Sequence, residues 1–431
     1  MKKGITLGLA AMLATSCITP VAFAEKVTPK AENVIAKSYS KSGVRFIEKI
    51  HVNELTLEDA IRYAQERNYQ SIELDLEYEK LKKREEITEK QRDDKLKEIS
   101  DLEAQLSDLQ ENPPIDEGED ALPIEEQLKS IGEQIQNLHK EIITNEVAVL
   151  QLDSTLDSLE LSGKNLLVSQ EKVKESIEFT VTSIFIGLIQ LEEQIKLMEA
   201  TYETQKNEIN AIRTRYELGL VSRKDFEKAT RERNKIENQV DQLKEQLKTE
   251  KQNFASTIGI TYTGDYTLVK PEIEEPELVS LGDIDELIDD SYDMQNLKNS
   301  LRFAEKALED IENSDFASED EKEIARLDVK LAELKMESLA VQLEKSINST
   351  YSQLKQQFEK VKELETEYEY AMEDKDDLRT YYELGLMSRH DYYQSNMSNL
   401  QAEFNYENAK YQYYLLAKQV LLMKKGFIIS N

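Results

Sequence analysis

The sequence predicts an all-α protein built of long antiparallel coiled-coil helical hairpins in two tandem structural repeats. Three observations predict it. The 431 residues are 33% charged, with 13 Gly, 7 Pro and no Trp, a composition of long helices that bury seams instead of one globular core. Ile124, Leu128, Ile131, Ile135, Leu138 and Ile142 recur at 4-3-4-3-4 spacing, and Val149, Leu152, Leu156 and Leu159 keep the register. An apolar repeat of about 3.5 residues held this long implies a left-handed coiled coil. Finally, one phrase occurs twice: RTRYELGLVSRKD from Arg213 to Asp225 returns as RTYYELGLMSRHD from Arg379 to Asp391, 166 positions on, with ten of thirteen positions identical. Such duplication marks two copies of one supersecondary unit.

Taken in order, residues 1–24 read as an export signal. Lys2 and Lys3 supply the charged start, Ile5 to Leu13 the apolar stretch, and Ala22-Phe23-Ala24 the cleavage site. Cys17 leaves a lipoprotein reading open beside ordinary cleavage; with no other cysteine, the mature chain has no internal disulfide and depends on packing. Residues 25–53 are a flexible polar lead. Helical repeat 1 covers 54–258 and begins at Thr56-x-x-Asp59, a capping-box pattern. Leu96, Ile99, Leu102, Leu106 and Leu109 keep helical spacing until Asn112-Pro113-Pro114, where consecutive prolines stop the helix. An acidic loop closed by Pro123 leads into the heptad run, so 90–160 forms a coiled-coil insertion. Ser162-Gly163 is expected as a break or kink. Helix resumes to the first repeated phrase, where Gly219 suits a left-handed C-cap. Ser222 suits the next N-cap, with Asp225 completing a capping-box-like arrangement.

Residues 259–280 are the linker, punctuated by Gly259, Gly264, Pro271 and Pro276. Helical repeat 2 covers 281–425. It opens on apolar Ile284, Leu287 and Ile288, breaks briefly at 313–320, and carries a seam of Leu343, Ile347, Tyr351, Leu354, Phe358, Val361 and Leu364. Gly385, Ser388 and Asp391 form its tip, and 426–431 are a C-terminal tail. The arms after both tips run about 36 residues, or roughly 54 Å of helix. The first repeat has an extra hairpin that the second lacks, which duplication plus one insertion explains.

Charge and residue chemistry exclude several functions. The formal charge is −31, or −33 once the signal's two lysines are removed, so nucleic acid and anionic lipid are poor partners. No segment of the mature chain approaches the roughly 18 apolar residues of a spanning helix; Phe179 to Leu191, with its Thr, Ser, Gly and Gln, is a buried helical stretch. Catalysis has no support: His51, His139 and His390 are far apart, and neither a zinc cluster nor a phosphate-binding Gly loop is present. No metal and no cofactor is expected, and the acidic runs 116–120 and 319–323 lack calcium-loop spacing. The tyrosines near the C-terminus, Tyr392, Tyr393, Tyr406, Tyr411, Tyr413 and Tyr414, read as helix-packing residues with the hydroxyl at the wet edge.

Leu55-Thr-Leu-Glu-Asp-Ala-Ile61, the two Tyr-Glu-Leu-Gly-Leu-x-Ser tips and the Pro-containing linker resemble the TolC outer-membrane efflux family over nearly all of residues 54–425. The resemblance implies a trimer forming an α-helical tunnel, an exit duct for small molecules or proteins. It also implies docking at the tips onto an adaptor (membrane-fusion) protein and an inner-membrane pump. By that analogy Tyr216, Gly219, Leu220, Val221 and Ser222, with Tyr382, Gly385, Leu386, Met387 and Ser388, present the adaptor-docking surface, while Asp225 and Asp391 cap the returning helices. The alternative is a secreted coiled-coil scaffold or regulator of the cell envelope without transport.

One departure from the family pattern stands out. The family's barrel strands belong between the two long helices of each repeat, near 112–123 and 313–320. Neither window holds two strands of about 9–11 residues with alternating apolar character. The expectation is therefore a member without the β-barrel, exported to the cell envelope or cell surface, as suits an envelope lacking a conventional outer membrane.

Overall fold

The computed structural model describes residues 51–116, 118, 122–262, 266–273, 275–313 and 317–429, all within the compact unit Ile47–Asn431. The export signal with Cys17, the lead up to residue 50, Gly264 of the linker and the last two tail residues lie outside the described residues. The elements are β1 (Glu54–Leu55), α1 (Leu57–Arg67), α2 (Tyr69–Glu111), α3 (Ile124–Glu217), α4 (Arg223–Thr257), β2 (Thr267–Leu268), α5 (Ile284–Asp289), α6 (Tyr292–Glu312), α7 (Glu319–Glu383) and α8 (Arg389–Met423).

The helical order repeats itself: a short helix, a longer one, a through-running one, then a 35-residue arm. Short polar side chains set the starts by accepting from backbone N–H groups that have no helical partner. Thr56 Oγ1 accepts from the Asp59 N–H at 3.1 Å, and Ser291 Oγ from the Met294 N–H at 3.2 Å. Ser318 and Glu321 exchange both bonds of a full capping box, at 3.3 and 2.7 Å. Breaks after Arg67 and Asp289 are additional to those read from the sequence. Asn68 makes the first, its Oδ1 accepting from the Gln70 and Ser71 N–H groups.

α3 packs against α2, α4, α6 and α8, and α7 packs against α6 and α8. Two rows result: α2–α3–α6–α7 toward one end and α4–α3–α8–α7 toward the tips. The rows meet around Phe185, Phe254, Ile186, Ile189, Leu55 and Ile258, each at most 1% exposed, with Phe185 and Phe254 edge to face at 6.2 Å. Burying each such side chain contributes about 1.5–3 kcal/mol. The stretch Phe179 to Leu191 lies in this core. The parallel pair β1–β2 ties the end of the lead to the linker, and the Asn53 carbonyl accepts from the Thr267 N–H at 2.9 Å. Beside it, Lys251 is buried: its Nζ donates to Glu192 at 2.8 Å and to the Tyr266 carbonyl at 3.1 Å.

Two expectations need correction. Ser162-Gly163 does not break the helix: α3 runs through it for 94 residues. Gly163 is buried, and a Cβ there would already stand 3.4 Å from Leu81 Cδ2, so this glycine serves close approach of α2. The heptad seam also starts later than read, since Ile124 and Leu128 are 62% and 51% exposed. Its middle is polar: Glu85, Thr88, Arg92 and Lys95 of α2 occupy α3-facing positions. Arg92 reaches Asp153 at 3.6 Å and Lys95 reaches Asn145 at 3.2 Å. Among the described residues β1 and β2 are the strands, and the connections 112–123 and 313–318 between helices are too short for barrel strands.

The α2–α3 hairpin outreaches its counterpart. Lys306 of α6 pairs with Asp157 of α3, and α6 ends six residues later at Glu312. α3 extends on past that level by roughly 40 Å at about 1.5 Å per residue.

Candidate functional site: the two helical tips

α3 and α7 both end on the repeated phrase, and the turns are alike. Gly219 and Gly385 each have φ of +70°, a conformation open to glycine at little cost. The Leu220 N–H donates to the Arg215 carbonyl at 2.8 Å and the Gly219 N–H to the Tyr216 carbonyl at 2.9 Å. The second tip repeats both, from Leu386 to Tyr381 at 2.8 Å and from Gly385 to Tyr382 at 3.0 Å. This is a Schellman closure, which satisfies carbonyls that the helix end leaves open.

Ser222 and Ser388 then start α4 and α8, accepting from the Asp225 and Asp391 N–H groups at 3.2 and 3.1 Å. The aspartate side chains do not complete a capping box. Asp225 Oδ2 and Asp391 Oδ2 accept instead from the serine hydroxyls at 2.7 and 2.6 Å, because the aspartate side chain is one methylene shorter than that of Glu321. Their carboxylates also lie at positive helix ends.

The tyrosines of the phrase have a structural partner. Tyr216 stacks on Phe226 with centroids 5.2 Å apart and planes 8° apart; Tyr382 stacks on Tyr392 at 4.6 Å and 15°. Each stack bridges the two arms directly above the turn. Phe226 and Tyr392 stand at the same 166-residue offset as the phrase, a signal that a search extended past Asp225 would have found.

The most exposed apolar groups are leucines, while Tyr216, Tyr381 and Tyr382 are exposed to 36%, 47% and 36%. Leu218, Leu220, Leu384 and Leu386 are 68%, 73%, 68% and 72% exposed. In a Schellman closure the residue after the glycine usually folds back on the helix, and here Leu220 and Leu386 remain exposed. Val221 and Met387 are half-buried, and Ser222 and Ser388 lie at the surface. Leu218 and Leu384 join the tip surface although sequence reasoning passed over them; a leucine on each side of both glycines was the available cue. A Cβ on either glycine would meet nothing within 4 Å. Among the described residues no group of His, Cys, Asp and Glu is placed to hold a metal ion, and no helix is long and apolar enough to cross a membrane.

The fold matches solved channel proteins. CmeC, an outer membrane channel of Campylobacter jejuni, is similar over 65% of this chain and 69% of its own, at 12% identity and a TM-score of 0.52. A membrane protein from Pseudomonas aeruginosa is similar over 91% and 97%, at 11% identity and 0.54. The open-state MtrE outer membrane channel of Neisseria gonorrhoeae is similar over 86% and 89%, at 12% identity and 0.50. No family model matches the sequence, and no curated protein does. At these identities the likeness establishes the fold, which is that of the TolC-like helical channels.

Proposed function

With a TolC-like fold as the premise, we propose that this chain is an exported cell-envelope component of an efflux system. Several copies, three by analogy, surround an axis as a helical conduit for small molecules or proteins. An adaptor docks at the tips and links the conduit to an inner-membrane pump. The observation that carries this reading is the pair of near-identical tips, each offering two exposed leucines that its own turn does not cover. A second feature supports assembly. Ile324, Leu327, Leu331, Leu334 and Val341 are 59%, 56%, 48%, 60% and 63% exposed and form a heptad-spaced stripe on α7, turned away from its seam with α6. Apolar surface of this extent on one helix face marks an interaction site.

The lack of room for barrel strands favours one other reading, a scaffold that keeps the fold without transport. Two measurements separate them. Light scattering on the exported protein should give a closed oligomer; a monomer at high concentration would sink the conduit. Leu220→Asp with Leu386→Asp should abolish capture of an adaptor protein from the same envelope while leaving helicity unchanged. Unchanged capture would remove the docking role.

A further inference from the structure

At the end of α3 remote from the tips, the α2–α3 hairpin runs on past α6 and finishes on the turn 112–123. Residues 98–128 hold eleven aspartates and glutamates and no lysine or arginine, in a chain with 55 basic residues overall. Glu111, Asp116, Glu125 and Glu126 are exposed there and form no ion pair among the described residues. Four apolar side chains stand amid these carboxylates: Ile115, Leu122, Ile124 and Leu128 are 40%, 64%, 62% and 51% exposed. Aliphatic groups gathered in water at the end of a hairpin, rimmed by polar residues, mark an interaction site.

One side chain holds the cluster together. Gln127 Oε1 accepts from the Asp116 N–H at 2.9 Å, while its Nε2 donates to the Asp116 carbonyl at 3.1 Å and to the Leu122 carbonyl at 2.6 Å. The two ends of the loop are thereby tied to the first turn of α3, with Ile115 and Leu122 beside Ile124. Leu128 follows on the same helix face, four residues on. A turn held at both ends presents one apolar surface to every encounter, which lowers the ordering cost of binding.

We infer that this far turn is a second docking end, and that its occupant is a protein whose surface sets lysines and arginines around an apolar recess. Charge decides the occupant. A second copy would bring the same carboxylates and no counter-charge, and like charges juxtaposed across an interface are costly. Anionic lipid and nucleic acid are repelled for the same reason. A basic surface without a recess would answer the carboxylates and leave the four aliphatic groups in water. Their burial supplies the apolar centre of the contact, and the charged rim supplies steering and register. The inference does not depend on transport, since a conduit and a scaffold would both be held at this end.

The test titrates the full exported chain into a fluorescent three-heptad helical peptide, leucine at a and d and lysine elsewhere, read by anisotropy. Leu122→Ser with Ile124→Ser, and separately Glu125→Lys with Glu126→Lys, should each weaken binding by about tenfold or more. Glu363→Lys with Glu373→Lys makes the same charge change on α7 and should leave binding unaltered. Leu220→Asp with Leu386→Asp should also leave it unaltered, which separates this contact from adaptor docking. A wild-type chain that does not bind the peptide overturns the proposal. Equal binding of a peptide with serine for leucine would reduce the contact to bulk charge and overturn the recess. Undiminished binding by both far-turn variants would place the peptide elsewhere and overturn the docking end. Disulfide dimers of Leu122→Cys under mild oxidation, absent from Leu150→Cys, would make the turn a contact between copies and overturn the basic partner.

Discussion

Gly426→Ala should destabilise this protein far more than Gly219→Ala, although both glycines have positive φ. At Gly219, with φ of +70° and nothing within 4 Å of a new Cβ, the cost is the left-handed conformation itself, about 1–2 kcal/mol. Gly426 has φ of +94°, and a Cβ there would stand 2.6 Å from the Asp290 carbonyl oxygen. That oxygen belongs to the backbone between α5 and α6, so relief requires the chain to part. Parting breaks the bond from the Tyr292 N–H to the Gly426 carbonyl, 2.9 Å long, worth about 1 kcal/mol. It also loosens Phe427 and Ile428, buried at 7% and 4% exposure, each contributing about 1.5–3 kcal/mol when fully buried. Losing part of that burial brings the expected total to about 3–5 kcal/mol. Urea unfolding followed by circular dichroism on both variants measures the difference. Equal shifts of the two midpoints would refute the argument that backbone contact, and not φ, dominates at Gly426.

Two more substitutions test particular contacts. Lys251→Met leaves Glu192 and the Tyr266 carbonyl without their donor and should cost about 2–4 kcal/mol; adding Glu192→Gln should recover part of it, and an undiminished stability of the single variant would contradict the pairing. Glu321 has its carboxyl held below the ordinary value by the Ser318 backbone N–H, then by the Ser318 hydroxyl. Because the folded pKa is depressed, its contribution is present above the unfolded pKa near 4.5 and is lost as pH falls through the folded value. Glu321→Gln keeps an acceptor without titrating, so the stability gap between it and wild type should shrink on acidification; a pH-independent gap would sink the assignment.

The helix stops were legible because their chemistry is local. Asn112-Pro113-Pro114 ends α2 at Glu111, and the repeated glycines fall where α3 and α7 end. The breaks at Asn68 and Ser291 were not legible, since a single cap residue inside an amphipathic run resembles any polar surface position. Gly163 was misread because its role depends on Leu81, which is distant in sequence. The exposed leucines were half visible: Leu220 and Leu386 stood in the motif, while Leu218 and Leu384 acquired meaning once the turn geometry was known.

The flanking helices change over where the two rows meet, but α3 and α7 do not. With 94 residues, α3 is roughly 140 Å of unbroken helix. The arrangement is a lapped joint: each seam between end-to-end members is bridged by a continuous one. A push at one tip is therefore carried by covalent and hydrogen-bonded backbone to the far end of the hairpin, without a hinge to absorb it. Movement at the tips becomes movement of the α2–α3 end, and stiffening either strut would alter both.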